Sequence, residues 1–113
     1  MNNRKLIIGL FGFGVVGEGL YKVLQQTPSL NASIKKVCIK DIHKQRNAPP
    51  ELFTSSKDEL LNDEEINVIV EVINDADAAF EITRTALLKG KSVVSANKKM
   101  IAEHLEELLE LHH

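Results

Sequence analysis

Leu6-Ile7-Ile8-Gly9-Leu10-Phe11-Gly12-Phe13-Gly14-Val15-Val16-Gly17 is the stretch that decides how this chain folds. Leu6 to Phe11 is short, nearly continuous in apolar residues and ends at glycines, the pattern of a strand buried on both faces of a parallel sheet. From Gly17 the period changes. Leu20, Val23 and Leu24 fall at i, i+3 and i+4, one face of a helix. Thr27-Pro28-Ser29 closes that helix, because proline cannot continue its hydrogen-bond ladder.

Strand and helix are joined by G-x-G-x-x-G, and each glycine has a separate task. Gly12 permits the tight turn, Gly14 exposes backbone where a Cβ would stand, and Gly17 lets the helix pack closely on the sheet. Free N–H groups at the helix start, with the positive end of its dipole, suit phosphate. In this context the loop from Gly12 through Phe13, Gly14, Val15 and Val16 to Gly17 reads as the cradle for the pyrophosphate of a nicotinamide dinucleotide. The plainer reading is three glycines making a sharp turn. An acid, Asp41, follows the next predicted strand 24 residues beyond Gly17. About 20 residues is the usual spacing to a carboxylate that binds the ribose 2′-hydroxyl. Lys40, Lys44 and Arg46 surround Asp41 and suit a 2′-phosphate instead, so both NAD and NADP stay open as cofactors.

Working outward, Ile34 to Ile39 reads as a second buried strand and Asp41 to Pro50 as a polar loop. Leu52-Phe53-Thr54 reads as a short third strand. Ser56-Lys57-Asp58-Glu59 fits a capping box, with Ser56 as N-cap, opening a short helix through Leu60 and Leu61. Ile66 to Ile73 is the next buried strand. Ala79, Ile82, Thr83, Ala86 and Leu87 form a helical stripe that Asp77 caps at one end and Gly90 closes at the other. Ser92-Val93-Val94-Ser95 is a fifth strand, and a last helix carries Ile101, Leu105, Leu108 and Leu109 on one face. This alternation predicts an α/β, Rossmann-type doubly wound parallel sheet of about five strands with right-handed crossovers. Such folds usually have six strands, so the chain reads as one domain, residues 1–113, at the front of something longer.

Composition narrows the class. At 113 residues the chain buries about two-thirds of its unfolded surface, enough for one core. The net charge of −2 offers no basic field for nucleic acid. No stretch approaches the roughly 20 apolar residues of a membrane helix. A single cysteine, Cys38, cannot form an internal disulfide and reads as a small buried residue, which suits a reducing cytoplasm. No metal-ligand spacing or catalytic triad is visible.

Two further residues stand out. Glu71 interrupts the apolar run Val68-Ile69-Val70-Glu71-Val72-Ile73 near its end, fitting either contact with ligand-binding loops or an exposed strand end. Lys98, in Asn97-Lys98-Lys99, follows the fifth strand at the edge where ligands of open sheets gather, yet on spacing alone it reads as a solvated lysine.

Four segments together resemble the N-terminal NAD(P)-binding domain of homoserine dehydrogenase. They are Gly12 to Gly17, Val37-Cys38-Ile39-Lys40-Asp41 leading to Arg46, Ile66 to Ile73, and Gly90-Lys91-Ser92-Val93-Val94-Ser95-Ala96-Asn97-Lys98. The last matches a G-K-x-V-V-[TS]-A-N-K signature and is far more specific than the glycine loop. The likeness spans nearly the whole chain and roughly the first third of such an enzyme. It implies an oxidoreductase that takes aspartate 4-semialdehyde to homoserine with NADPH or NADH, in threonine and methionine biosynthesis. By motif position it places Phe13, Gly14, Val15 and Val16 along the dinucleotide and Ser95 by the nicotinamide ribose. It places Lys98 near nicotinamide and substrate, and Lys40 where many members carry an arginine facing the 2′-phosphate. It also implies that the substrate-binding, catalytic domain and any homodimer contact lie outside this chain, which alone is then inactive. The family usually follows its fourth strand with a glycine pair, E-x-I-G-G; here Asn74-Asp75 stands there, and side chains crowd the nicotinamide end. A dinucleotide-sensing regulatory domain, such as those gating potassium transport, shares the glycine loop and the acid, but Ala96-Asn97-Lys98 speaks for the dehydrogenase.

Overall fold

The computed structural model describes residues 5–95. Strand β1 (Leu6–Phe11) sits at the centre of a five-stranded sheet, because its side chains are apolar on both faces. It is followed by α1 (Val15–Gln26), β2 (Ala32–Cys38), the two-residue β3 (Phe53–Thr54), α2 (Asp58–Leu61), β4 (Val68–Glu71), α3 (Ala76–Leu88) and β5 (Ser92–Ser95). The order is β3-β2-β1-β4-β5, and every pair is parallel. The chain winds one way from β1 to β3, then crosses back to β4. The reversal between β1 and β4 is the switch point at which ligands of such sheets bind.

The two faces carry separate cores. On one, Ile8, Leu10, Val37, Ile39, Val68 and Val70 pack with Leu20 and Leu24 of α1. On the other, Phe11, Ile69, Leu60, Leu61, Ile82 and Ala86 pack with α2 and α3. Alternation along each strand divides these sets, as the two-residue period requires. Val23, expected on the buried stripe, is 51% exposed; Leu20 and Leu24 carry the apolar contact of α1 with the sheet.

Polar groups close the amino-terminal edge of the sheet. The Asn67 side chain accepts from Ile7 N–H at 2.9 Å and donates to Lys5 O at 3.0 Å, extending the β1–β4 ladder by a residue. The buried Lys91 ammonium donates to the carbonyls of Asp63 (2.7 Å) and Ile66 (2.6 Å), tying the α2–β4 turn to β5. Burial pushes this ammonium below its ordinary lysine range. At the same turn Lys35 bridges Asp63 (2.6 Å) and Glu65 (2.5 Å), and its hydrogen bond holds Asp63 below the usual carboxylate range.

Two expected caps are placed differently. Ser56 does not cap α2; Lys57 occupies that position without a side-chain bond. Glu59 instead accepts from the Thr54 hydroxyl, whose oxygen also accepts from Ser56 N–H at 3.1 Å. The cap of α3 is Asp75, not Asp77: one Asp75 carboxylate oxygen accepts from Asp77 N–H (3.0 Å) and Ala78 N–H (3.1 Å). The C-terminal end of α3 is as expected. Gly90 has φ +79°, its N–H bonds Leu87 O, and Lys91 N–H reaches back to Ala86 O, both at 3.0 Å. The expected helix with Ile101, Leu105, Leu108 and Leu109 lies outside the described residues.

Gly90→Ala puts a Cβ on a left-handed residue and is expected to destabilise the chain by about 1–2 kcal/mol in urea unfolding. Gly90→Asn, which tolerates that conformation, should lose less. Equal losses for the two variants would remove the Gly90 backbone as the cause.

Candidate functional site

The loop between β1 and α1 is shaped by one close approach. A Cβ on Gly17 would stand 2.5 Å from the Gly12 carbonyl oxygen, so the helix begins almost against the strand it follows. Gly12 turns at φ +102°, with its N–H on Cys38 O (3.0 Å) and the methyls of Val72 and Ile73 pressed over it. Gly14 is the N-cap of α1 and supplies no side-chain bond, so the first amides of the helix are not satisfied from within by a cap. A Cβ at Gly14 would meet nothing within 4 Å. The opposing helix, α3, has its amides sealed by Asp75.

Above this loop, along the carboxyl ends of β1, β2 and β4, runs an open cleft of about 1270 Å3. Gly12, Phe13, Gly14 and Val15 form its floor and Asn74 and Asp75 border it on the β4 side. On the β2 side stand Lys40, Asp41, Lys44, Arg46 and Lys57. Val16, 62% exposed, stands on the first turn of α1, and Gly17 is buried under it. Cys38 lies against the cleft, and burial pushes its thiol up, which makes it a poor nucleophile.

The cationic side is organised by Arg46. Its guanidinium donates to the carbonyls of Asp41 (2.7 Å) and Lys44 (2.9 Å) and lies over the Phe53 ring, 5.5 Å from its centroid. That ring packs edge-on against Phe13, which packs edge-on against Tyr21 of α1. Asn47 then donates to Glu18 on α1 at 3.0 Å. One carboxylate oxygen of Asp41 accepts from His43 N–H at 3.0 Å, which fixes the acid at the cleft edge.

Residues 12–113 match the family model described as homoserine dehydrogenase, NAD binding domain. The chain belongs to this family. The homoserine dehydrogenase of Helicobacter pylori is 34% identical over 112 residues, which cover 93% of the chain and 26% of that protein. The S. aureus homoserine dehydrogenase superposes with a TM-score of 0.84 at 34% identity, covering 96% of this chain and 30% of that one. A hyperthermophilic archaeal homoserine dehydrogenase, solved in complex with NADPH, shares the fold with a TM-score of 0.75 at 23% identity. The chain spans 26% to 41% of the length of these relatives. The family model and the Helicobacter pylori and S. aureus relatives carry the dehydrogenase reading rather than a transport regulator.

The structure brings Gly12 to Gly17, Lys40 and Asp41 into one region. Ser95 stands at the end of β5, level with Glu71 and so with Phe11 across the sheet, its hydroxyl bonded to Glu71. Lys98 lies outside the described residues. Glu71 is fully buried, which excludes the exposed strand end that its sequence position allowed. The residues found where family members carry a glycine pair are both exposed, and Asp75 spends a carboxylate oxygen on α3. Sequence reasoning missed Lys57 as part of the cleft; its place depends on β3 returning beside β2, which local pattern does not reveal. Among the described residues no group of His, Cys, Asp or Glu is arranged to hold a metal, and no helix is long and apolar enough to cross a membrane.

Gly17→Ala forces a methyl group against a backbone oxygen and is expected to cost about 1–3 kcal/mol in thermal or urea unfolding. Gly14→Ala, with open space around its new Cβ, should unfold within about 0.5–1 kcal/mol of wild type, the helix-start penalty for glycine replacement being small. The reverse ranking would show that the loop is not built on the Gly12–Gly17 approach.

Proposed function

We propose that this chain binds a nicotinamide dinucleotide across the cleft, with the pyrophosphate on the bare N-terminus of α1. The observation that carries this reading is the combination of an uncapped helix start, a Gly14 that faces open space, and a Gly12–Gly17 approach that brings backbone amides to the floor. On this reading Phe13, Val15, Val16 and Gly17 line the pyrophosphate path. Ser95 and Lys98 lie toward the nicotinamide end, Lys98 supplying a cation for a polarised oxygen. The bound dinucleotide supplies hydride; the chain's own residues bind it and orient it.

NADPH fits the β2 side better than NADH. Lys40, Lys44, Arg46 and Lys57 border the cleft there, while Asp41 gives a carboxylate oxygen to His43 N–H. A 2′-phosphate is matched by such lysines as point charges.

The whole protein, in our reading, reduces aspartate 4-semialdehyde to homoserine in a reducing cytoplasm. The substrate-binding residues and any homodimer contact belong to a part beyond this chain. Support for this is the share of its relatives that the chain spans. Hydride transfer needs substrate and cofactor held together, so the 113-residue chain is expected to bind without turning over.

Calorimetric titration with NADPH and NADH tests the reading. Both should bind, NADPH more tightly, and Lys40→Ala with Lys44→Ala should bring the two affinities to within about threefold, mostly by weakening NADPH. NADPH binding should also weaken steeply with salt. Absence of heat with both dinucleotides overturns the cofactor reading, and turnover of homoserine by the purified chain overturns the placement of the remaining machinery.

A further inference from the structure

The charged groups that border the cleft are unevenly placed. Lys40, Lys44, Arg46 and Lys57 stand with Asp41 on the β2 side, and Glu18 of α1 is bonded to Asn47 of that same side. On the β4 side, among the described residues, Asp75 is the charged residue that borders the cleft. The cleft is therefore cationic at one end and anionic at the other.

Asp75 is held in that position by its bonds to α3. Oδ1 accepts from Asp77 N–H at 3.0 Å and from Ala78 N–H at 3.1 Å, and neither bond uses Oδ2. The residue as a whole is exposed. Asparagine or serine holds a helix start about as well as aspartate, so capping alone does not call for a charge here.

The topology decides which part of a dinucleotide meets this charge. β2 and β4 flank β1 on opposite sides, and the bare start of α1 lies between them. With the pyrophosphate there and the adenosine 2′-phosphate among the β2-side cations, the other half of the ligand leaves toward β4. That half ends in the nicotinamide ring, which is a cation when oxidised and neutral when reduced. A carboxylate on that side attracts the oxidised ring and finds no charge to attract in the reduced one.

We propose that Asp75 is a specificity-determining residue that makes the cleft favour the oxidised dinucleotide over the reduced one. The inference rests on the dinucleotide reading above. It goes beyond that reading by assigning a redox preference to one side chain. The consequence for hydride transfer is thermodynamic. A site that binds the oxidised form more tightly shifts the bound pair toward it, so reduced dinucleotide held there is the stronger hydride donor.

Asp75→Asn separates the charge from the cap, because its amide oxygen can still accept from Asp77 N–H and Ala78 N–H. The purified chain is titrated with NADP+ and with NADPH at low ionic strength, where exposed charges are least screened. Asp75→Asn is expected to lower the ratio of the NADPH dissociation constant to that of NADP+ by roughly three- to fivefold, the size of an ionic interaction across a few ångströms of water. A merely structural role alters both constants alike and leaves their ratio. Asp77→Asn removes an exposed acid from the same helical turn but outside the cleft lining, and should leave the ratio nearly unchanged. A fall in Asp75→Asn at least about twofold greater than in Asp77→Asn supports the inference, and any smaller difference overturns it. If Asp75→Asn does not melt cooperatively, Asp75→Ser, which also caps without charge, is measured in its place. If neither variant folds, Asp75 serves the helix and the inference fails. Wild-type chain that binds neither dinucleotide overturns the dinucleotide reading itself and this inference with it.

Discussion

The contact between the Gly12 carbonyl and the Cα of Gly17 governs the rest of the molecule. No side chain of any size fits there, so strand and helix meet at backbone distance. Three strands converge on that point. Gly12 N–H is bonded to β2 through Cys38 O, Phe11 O accepts from Val72 N–H beyond β4, and the Val72 and Ile73 methyls close over the turn. The helix amides consequently open where the winding of the sheet reverses between β1 and β4. The site is thus a product of packing geometry before it is a product of polar chemistry.

Polar groups inside the sheet divide by its two ends. At the amino edge, Asn67 and Lys91 satisfy carbonyls and amides that the ladder leaves over, which is structural work. At the carboxyl edge, Glu71 joins the turn after β4, which borders the cleft, to the end of β5. The same physical requirement, that buried polar atoms find partners, serves the fold at one end and the site at the other.

Much of this was legible in local pattern. Continuous apolar runs and a change of period identified β1, α1, β2, β4, α3 and β5, because each signal is complete within a few residues. The short β3 was found too, although only Phe53 and Thr54 pair. The misses share a cause. Ser56 looked like an N-cap, but Thr54, placed by its pairing with Cys38, offered Ser56 N–H and Glu59 a different partner. Asp77 suited the start of α3, but the helix begins at Ala76, directly after the turn that follows β4, and the cap falls to Asp75. Glu71 was ambiguous because its hydroxyl partner lies on β5, 24 residues away. Arg46 stood in the sequence as one of three cations suited to a 2′-phosphate, and its place on the loop depends on the return of Phe53 beside β2, which gives its guanidinium a surface to lie on.

That arginine has a consequence for the energetics of recognition. By gripping Asp41 and Lys44 through their carbonyls and resting on Phe53, it gives the loop after β2 its shape before any ligand arrives. The conformational entropy of ordering those residues is then lost at folding rather than at association. Lys40 and Lys44 then stand on a backbone already shaped, and under the proposed binding of a 2′-phosphate the cost of assembling that loop would not offset their attraction for it. An arginine bonded to its own loop can in this way preset the positions from which its neighbours act.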